Sequence, residues 1–225
     1  MLQQPITYDY GEMGRDGLIS GEGREEWDWI RWNLDDLRYF LTTVEGFIEE
    51  QESREIAEVV SRQPVPIDWS EHDPWYWQGI IGTQLRQSYI VALMSATEWH
   101  LDCVCQSVRA LIKKPLPSFK NGYEFLKEMP KFLRTAAEFS TPSDDTWDFV
   151  NHLRTCRNVL VHRTGVLEGY KWAAEVEKLK GAPGLELDSG LVKIGPEFCP
   201  FAHERIDRFF EELRQEFVRL CRRLA

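Results

Sequence analysis

Apolar residues recur at helical spacing along most of this chain. From Arg24 onward, Trp27, Ile30, Leu34, Leu37, Leu41, Val44 and Ile48 alternate three and four apart, the seam of a bundle or coiled-coil helix. The pattern fades into Glu49-Glu50-Gln51-Glu52, and Pro64 with Pro66 ends the element. Residues 1–23 are glycine-rich and aperiodic, an irregular leader. Pro64 to Pro74 reads as a connection, with Asp73 capping a helix whose first residue is Pro74. That second helix is expected to reach about Lys114, where Lys113-Lys114-Pro115-Leu116-Pro117 stops it. Its middle, Tyr89 to Ala96, is apolar or small on nearly every face, as a centrally packed helix requires. Glu98 and Asp102, four apart on one face, stand out there.

Short helical pieces are expected between Phe119 and Phe139, limited by Pro130, with Asn121-Gly122 as a turn. Thr141-Pro142-Ser143-Asp144-Asp145 opens a further helix with acidic residues in its first turn, where the helix dipole favours them. Phe149, Val150, Leu153, Leu160 and Val161 form its expected apolar face, and Gly165 its C-terminal cap. Alternation through Leu185–Ile194 around Asp188-Ser189-Gly190 predicts a small hairpin. Pro200 opens a last helix with the stripe Ile206, Phe210, Leu213, Phe217 and Leu220. The fold class is therefore all-α: a helical bundle over residues 75–225, with a small β-hairpin, and a leader and acidic helical extension over residues 1–74 that packs on it.

Composition narrows the functions available. The net charge of −10 argues against a protein whose whole surface grips nucleic acid. The charge is uneven, however. Residues 1–75 hold 6 Lys and Arg against 18 Asp and Glu, and the remainder 21 against 19, which leaves room for a local basic cleft in the second part. The cysteines Cys103, Cys105, Cys156, Cys199 and Cys221 are odd in number and form no Cys-x-x-Cys pair; neither they nor the histidines recur at metal-ligand spacing. Reduced thiols are expected, with no metal and no cofactor. No apolar run approaches the ~20 residues of a membrane span, and the N-terminus carries no signal-like segment, so the expected location is the cytoplasm.

One stretch looks chemical. In Cys156-Arg157-Asn158-Val159-Leu160-Val161-His162-Arg163-Thr164-Gly165, polar groups interrupt an apolar helical run. An arginine is a permanent cation, an imidazole titrates near neutrality, and an amide stands beside the arginine, a set suited to phosphate ester chemistry. On a helix Asn158 and His162 stack one turn apart, while Arg157 starts about 100° from its neighbour. Either a swing of His162 near the helix end or a group from a second copy of the chain would complete the set.

At these residues the sequence resembles the HEPN superfamily, helical bundle domains marked by an arginine, usually followed by a polar residue, and a histidine four to six residues on. Arg157-Asn158 and His162 match that mark. The context agrees: Glu98 lies on the preceding long helix, Val161 precedes the histidine, Gly165 follows, and a hairpin leads to a closing helix. The resemblance covers residues 75–223. It implies a metal-independent endoribonuclease, a toxin or antiviral effector, acting on RNA as a homodimer with the two motifs facing each other, under an antitoxin or regulatory protein. In that role His162 transfers the proton, Arg157 neutralises charge on the phosphate oxygens, and Asn158 positions either one. Glu98 is a further candidate, holding Arg157 or tuning the histidine. Arg154 and Arg163 either line an RNA path or are simply solvated.

Plainer readings stand beside these. Arg157 and His162 suit a helix C-terminus through the dipole alone. Glu98 serves equally well in a structural ion pair, and His100 and His152 as core or surface histidines. Trp27, Trp29, Trp32, Trp75, Tyr76 and Trp77 either stack bases or fill the core. The alternative function is a non-catalytic HEPN-like module binding a nucleotide or a partner protein, the acidic N-terminal helix being the docking element.

Overall fold

The computed structural model of the protein describes residues 24–61, 76–117 and 122–224. These form six α-helices, α1 (Arg24–Ser61), α2 (Thr83–Ile112), α3 (Gly122–Ala136), α4 (Asp144–Arg163), α5 (Ala173–Glu177) and α6 (Phe198–Leu224). A π-helical turn, Tyr76–Gly82, leads into α2, and one antiparallel hairpin, β1 (Leu185–Asp188) with β2 (Leu191–Ile194), precedes α6. The protein is all-α apart from that hairpin. The expected cap at Asp73 and Pro74 and the turn residue Asn121 lie outside the described residues.

The seam of α1 packs as its spacing requires: Trp27, Ile30, Leu34, Leu41 and Ile48 are buried. Beyond Ile48 only Val59 is buried. There the helix continues on charged helix-forming residues, with an Arg54–Glu50 bridge of 2.7 Å one turn apart. Of the expected aromatic cluster, Trp27 enters the core while Trp29 and Trp32 stay exposed, because they lie on the opposite side of the helix.

In place of short pieces limited by Pro130, α3 is one helix running through that proline. Leu126, Met129, Phe132 and Leu133 are buried on one face across it, and their burial outweighs one missing backbone hydrogen bond. The last helix starts at Phe198, two residues before the expected Pro200, and buries its whole stripe from Ile206 to Leu220. Val161 departs from expectation: it is exposed, although Leu160 beside it is buried. The short α5 has no periodic signal, being little more than one turn.

The chain divides into two compact units, and each of α1, α2, α4 and α6 contributes a segment to both. Among the described residues, the first unit comprises 24–33, 98–117, 122–147 and 209–224, and the second 34–61, 76–97 and 148–208. In the first, Trp27 meets Phe217 edge-on at 5.8 Å and Trp147 meets Phe209 at 4.8 Å. Glu216 is buried and accepts from the backbone N–H of Ser140 and Thr141 at 3.3 and 3.2 Å and from both hydroxyls. Burial works to raise this carboxyl, but the Ser140 and Thr141 hydrogen bonds and Arg219 prevail and hold it below the usual carboxylate range.

In the second unit, Arg86 is buried and paired to Glu45 by two bonds of 2.7 and 2.6 Å, and its Nη2 also donates to Gln78 Oε1 at 2.7 Å. This fork holds the π-helical turn against α1. It also explains Gly82, where a Cβ would stand 2.8 Å from Arg86 Nη1. Tyr89 and His203 are both buried, hydroxyl to Nδ1 at 2.5 Å, and Asp207, ion-paired with Arg38, lies 3.4 Å from His203 Nε2. No helix of the described residues is long and apolar enough to cross a membrane.

Candidate functional site

The candidate residues sit on the last turns of α4, whose two ends are both secured. At its start the Thr146 N–H donates to Ser143 Oγ at 3.3 Å, an N-cap, and Asp144 and Asp145 occupy the first turn. At its end Gly165 takes φ +87°, and its N–H donates to the Val159 carbonyl at 3.2 Å. The Val192 N–H then donates to the Gly165 carbonyl at 2.9 Å, and the Leu167 N–H to Gly190 at 2.7 Å. The hairpin is thereby stitched to the helix end. Its own turn, Ser189-Gly190, has two positive φ values, 50° and 77°, the geometry that lets adjacent antiparallel strands keep their twist.

Arg157 and Asn158 are brought together directly: Nη1 of Arg157 donates to Oδ1 of Asn158 at 2.9 Å. Both are half-buried, and His162, one turn beyond Asn158, is exposed. The angular offset between adjacent helix positions is thus closed by the length of the arginine side chain. Asn158 gives its carbonyl oxygen to the guanidinium rather than to the imidazole. Its amide nitrogen carries the N–H donors that could serve a ligand.

The other candidates are placed differently. Arg154 is buried at 8% exposure, not solvated, and belongs to the interior of its unit. Arg163 is half-buried; its Nη2 donates to the Glu168 carbonyl at 2.7 Å, and its guanidinium lies 5.8 Å from the centre of the Tyr170 ring. Glu98, half-buried on α2, belongs to the first unit, whereas Arg157, Asn158 and His162 belong to the second. Cys156, inside the motif, is not a nucleophile: it is buried, and burial pushes its thiol up to about 12. None of the five cysteines is joined in a disulfide.

Two of the neighbours, Tyr170 and Lys171, had no signal of their own in the sequence. Tyr170 is half-buried; burial raises its hydroxyl pKa, while the nearby Arg154 and Arg163 act to lower it. Lys171 lies 4.9 Å over the Trp172 ring. His152 is 3.2 Å from Glu175, and its pKa is lowered by burial first and by Lys178 second, against the pull of Glu175. The signal for the first two is compositional: residues 148–172 carry 4 Arg and Lys against 2 Asp and Glu in a chain of net charge −10. Cationic and aromatic side chains side by side suit a phosphate with an attached base. Among the described residues, no group of three or more His, Cys, Asp or Glu is arranged to hold a metal ion.

Comparison of the chain with protein-family models, with curated proteins and with solved structures finds no match.

Proposed function

We propose that this protein is a metal-independent endoribonuclease of HEPN type, its helices a HEPN-like bundle, acting as a homodimer in a toxin or antiviral role. The observation that carries the reading is the Arg157–Asn158 hydrogen bond of 2.9 Å, which gathers a guanidinium and an amide one turn before the exposed His162. The locally basic, aromatic segment around Tyr170 and Trp172 supports it. In the reaction a ribose 2′-oxygen loses its proton and bonds to the adjacent phosphorus. The bond from phosphorus to the 5′-oxygen breaks, and that oxygen takes a proton. His162 performs a proton transfer and Arg157 offsets charge on the non-bridging oxygens. The products are a 2′,3′-cyclic phosphate and a 5′-hydroxyl.

The test is cleavage of end-labelled RNA in EDTA by the protein and by its His162→Ala variant. Loss of a general acid–base group is expected to slow cleavage by about 10²–10⁴. Equal cleavage by both, dependence on added metal, or products ending in 5′-phosphate would overturn the reading. One observation favours the second reading, a non-catalytic interaction module: the exposed aromatic residues of α1, Tyr39, Phe40 and Phe47.

A further inference from the structure

The segment of α1 in the second unit has two unlike faces. Leu34, Leu41 and Ile48 point inward, while Tyr39, Phe40 and Phe47 are 75, 44 and 49% exposed on the other side. Three large aromatics within about two turns of one exposed helix face is far from the scattered apolar residues of an ordinary surface. The π-helical turn extends the patch: Trp77 packs edge-on against Phe47 at 5.9 Å and against Tyr76 at 5.8 Å, and Tyr76 and Ile80 are themselves exposed. The platform is rigid. Arg86 clamps Glu45 on α1 to Gln78 on the turn, and Gln78 donates to Glu52 at 3.2 Å. Anchors already held in place lose little entropy on binding.

Charge decides what fits this face. Residues 34–61 contain 8 Asp and Glu against 2 Arg, and both arginines already bridge acidic side chains, Arg38 to Asp207 and Arg54 to Glu50. Asp36 and Glu50 are exposed on the same side of the helix as Phe40 and Phe47. A nucleic acid or an anionic membrane would be repelled. A second copy meeting this face about a twofold axis would set the acidic segment against itself. The chain's own segments 1–23, with 4 acidic residues against 1 Arg, and 62–75, with 3 against 1, carry the wrong sign.

We infer that the Tyr39, Phe40 and Phe47 face of α1, with Tyr76 and Ile80, is a docking site for a basic amphipathic helix of another protein. Phe40 and Phe47 are seven apart, so they meet apolar residues of a partner helix at matching spacing, while its flanking Lys and Arg face Asp36 and Glu50, which lie within a quarter turn of that face. This site shares no residue with the Arg157 motif and does not depend on the nuclease reading.

The experiment uses the full chain and a fluorescent helical peptide built only from Leu and Lys, titrated by anisotropy, with a Leu and Glu peptide of the same pattern beside it. The Leu–Lys peptide is expected to bind saturably, and the Leu–Glu peptide not to. Phe40→Ser with Phe47→Ser is expected to weaken binding about tenfold or more, as loss of central aromatic anchors does. Asp36→Lys with Glu50→Lys is expected to weaken it about tenfold at low salt, with the difference shrinking as salt is added. All substituted side chains are exposed, and circular dichroism confirms that each variant is folded. His162→Ala is expected to bind as the parent does. Equal peptide affinity in the parent and both surface variants overturns the proposal, as does equal binding of the Leu–Glu peptide. So does a self-association in sedimentation that the Phe variant abolishes, since a second copy would then cover the face.

Discussion

Arg157 Nη1 donates to Asn158 Oδ1 at 2.9 Å, joining two adjacent positions of one helix that point about 100° apart at their Cβ atoms. The asparagine is therefore a holder of the arginine before any substrate arrives. On the proposed nuclease reading, Asn158→Ala should loosen Arg157 and lower the single-turnover rate of RNA cleavage by about tenfold, the scale of one hydrogen bond to a charged group. Arg157→Lys, which keeps the charge but loses the fork, should cost about 10²–10³, as removal of a transition-state donor does. Quenched-flow cleavage of a saturating labelled RNA separates these from binding. An Asn158→Ala rate equal to that of the parent would show that the hydrogen bond has no part in positioning.

That relationship also marks where sequence pattern stops informing. Helical periodicity places Cβ atoms, so it located the buried stripe from Trp27 to Ile48 and the stripe of α6, and it set Asn158 and His162 one turn apart. It does not place the head of a long side chain, and Arg157 reaches its neighbour by the flexibility of its stem. Val161 failed for a related reason: apolar character alone does not report burial, and Val161 is exposed beside the buried Leu160. Pro130 misled because a missing N–H is a fixed local cost, while the burial of Leu126, Met129 and Phe132 that offsets it is tertiary. Tyr170 and Glu175 come to α4 through turns with no periodic signature, so their partners Arg163 and His152 were unpredictable from spacing.

Two buried histidines set an acid limit on stability. His100 donates from Nε2 to Asn33 at 3.1 Å, its Nδ1 has no hydrogen-bond partner among the described residues, and burial lowers its pKa to about 4. His203 Nδ1 shares a hydrogen bond with the Tyr89 hydroxyl, and burial first, then Arg38, lower its pKa to about 4 against the opposing effect of Asp35. The unfolded chain takes up these protons as pH falls below the ordinary value of 6.5, and the native state not until about 4. Their stabilisation is thus full above 6.5 and is lost on descent through that window, at most about 3 kcal/mol each. Urea unfolding between pH 7 and pH 4 is expected to show the loss, and His100→Gln to flatten it. A His100→Gln profile as steep as the parent's would remove His100 from the account.

The Arg86–Glu45 pair should behave as a buried ion pair does. Removing one partner leaves a desolvated charge, so Glu45→Ala is expected to destabilise by about 3–5 kcal/mol. Replacing both, Arg86→Met with Glu45→Leu, should recover most of that, since neither charge is then stranded. Gly82→Ala should resemble the single variant in direction, because its Cβ would stand 2.8 Å from Arg86 Nη1 and 3.1 Å from the Trp77 carbonyl. Chemical denaturation of the parent and the three variants compares their stabilities. A double variant less stable than Glu45→Ala would show that packing around the guanidinium stem, rather than charge, dominates.

Gly165 links stability to the candidate site. Its φ of +87° is strained for any residue with a Cβ, and that Cβ would lie 3.1 Å from the Val192 carbonyl, against the strand that Gly165 itself binds. Gly165→Ala is therefore expected to cost about 1–3 kcal/mol. The strain has two exits: the helix end unwinds toward His162, or the hairpin lifts from Gly165 and leaves the helix intact. Hydrogen exchange distinguishes them, since the first exposes the amides of His162 and Arg163 and the second those of Val192 and Leu167. The stitching of the helix end through both Val159 and Val192 favours loss of the strand contact, because the bond to Val159 is local and the bond to Val192 closes a longer loop. Cleavage by Gly165→Ala at a temperature where it remains folded should then fall less than tenfold. A loss as large as that of His162→Ala would mean instead that the last turn of α4 is held in its active form by the hairpin.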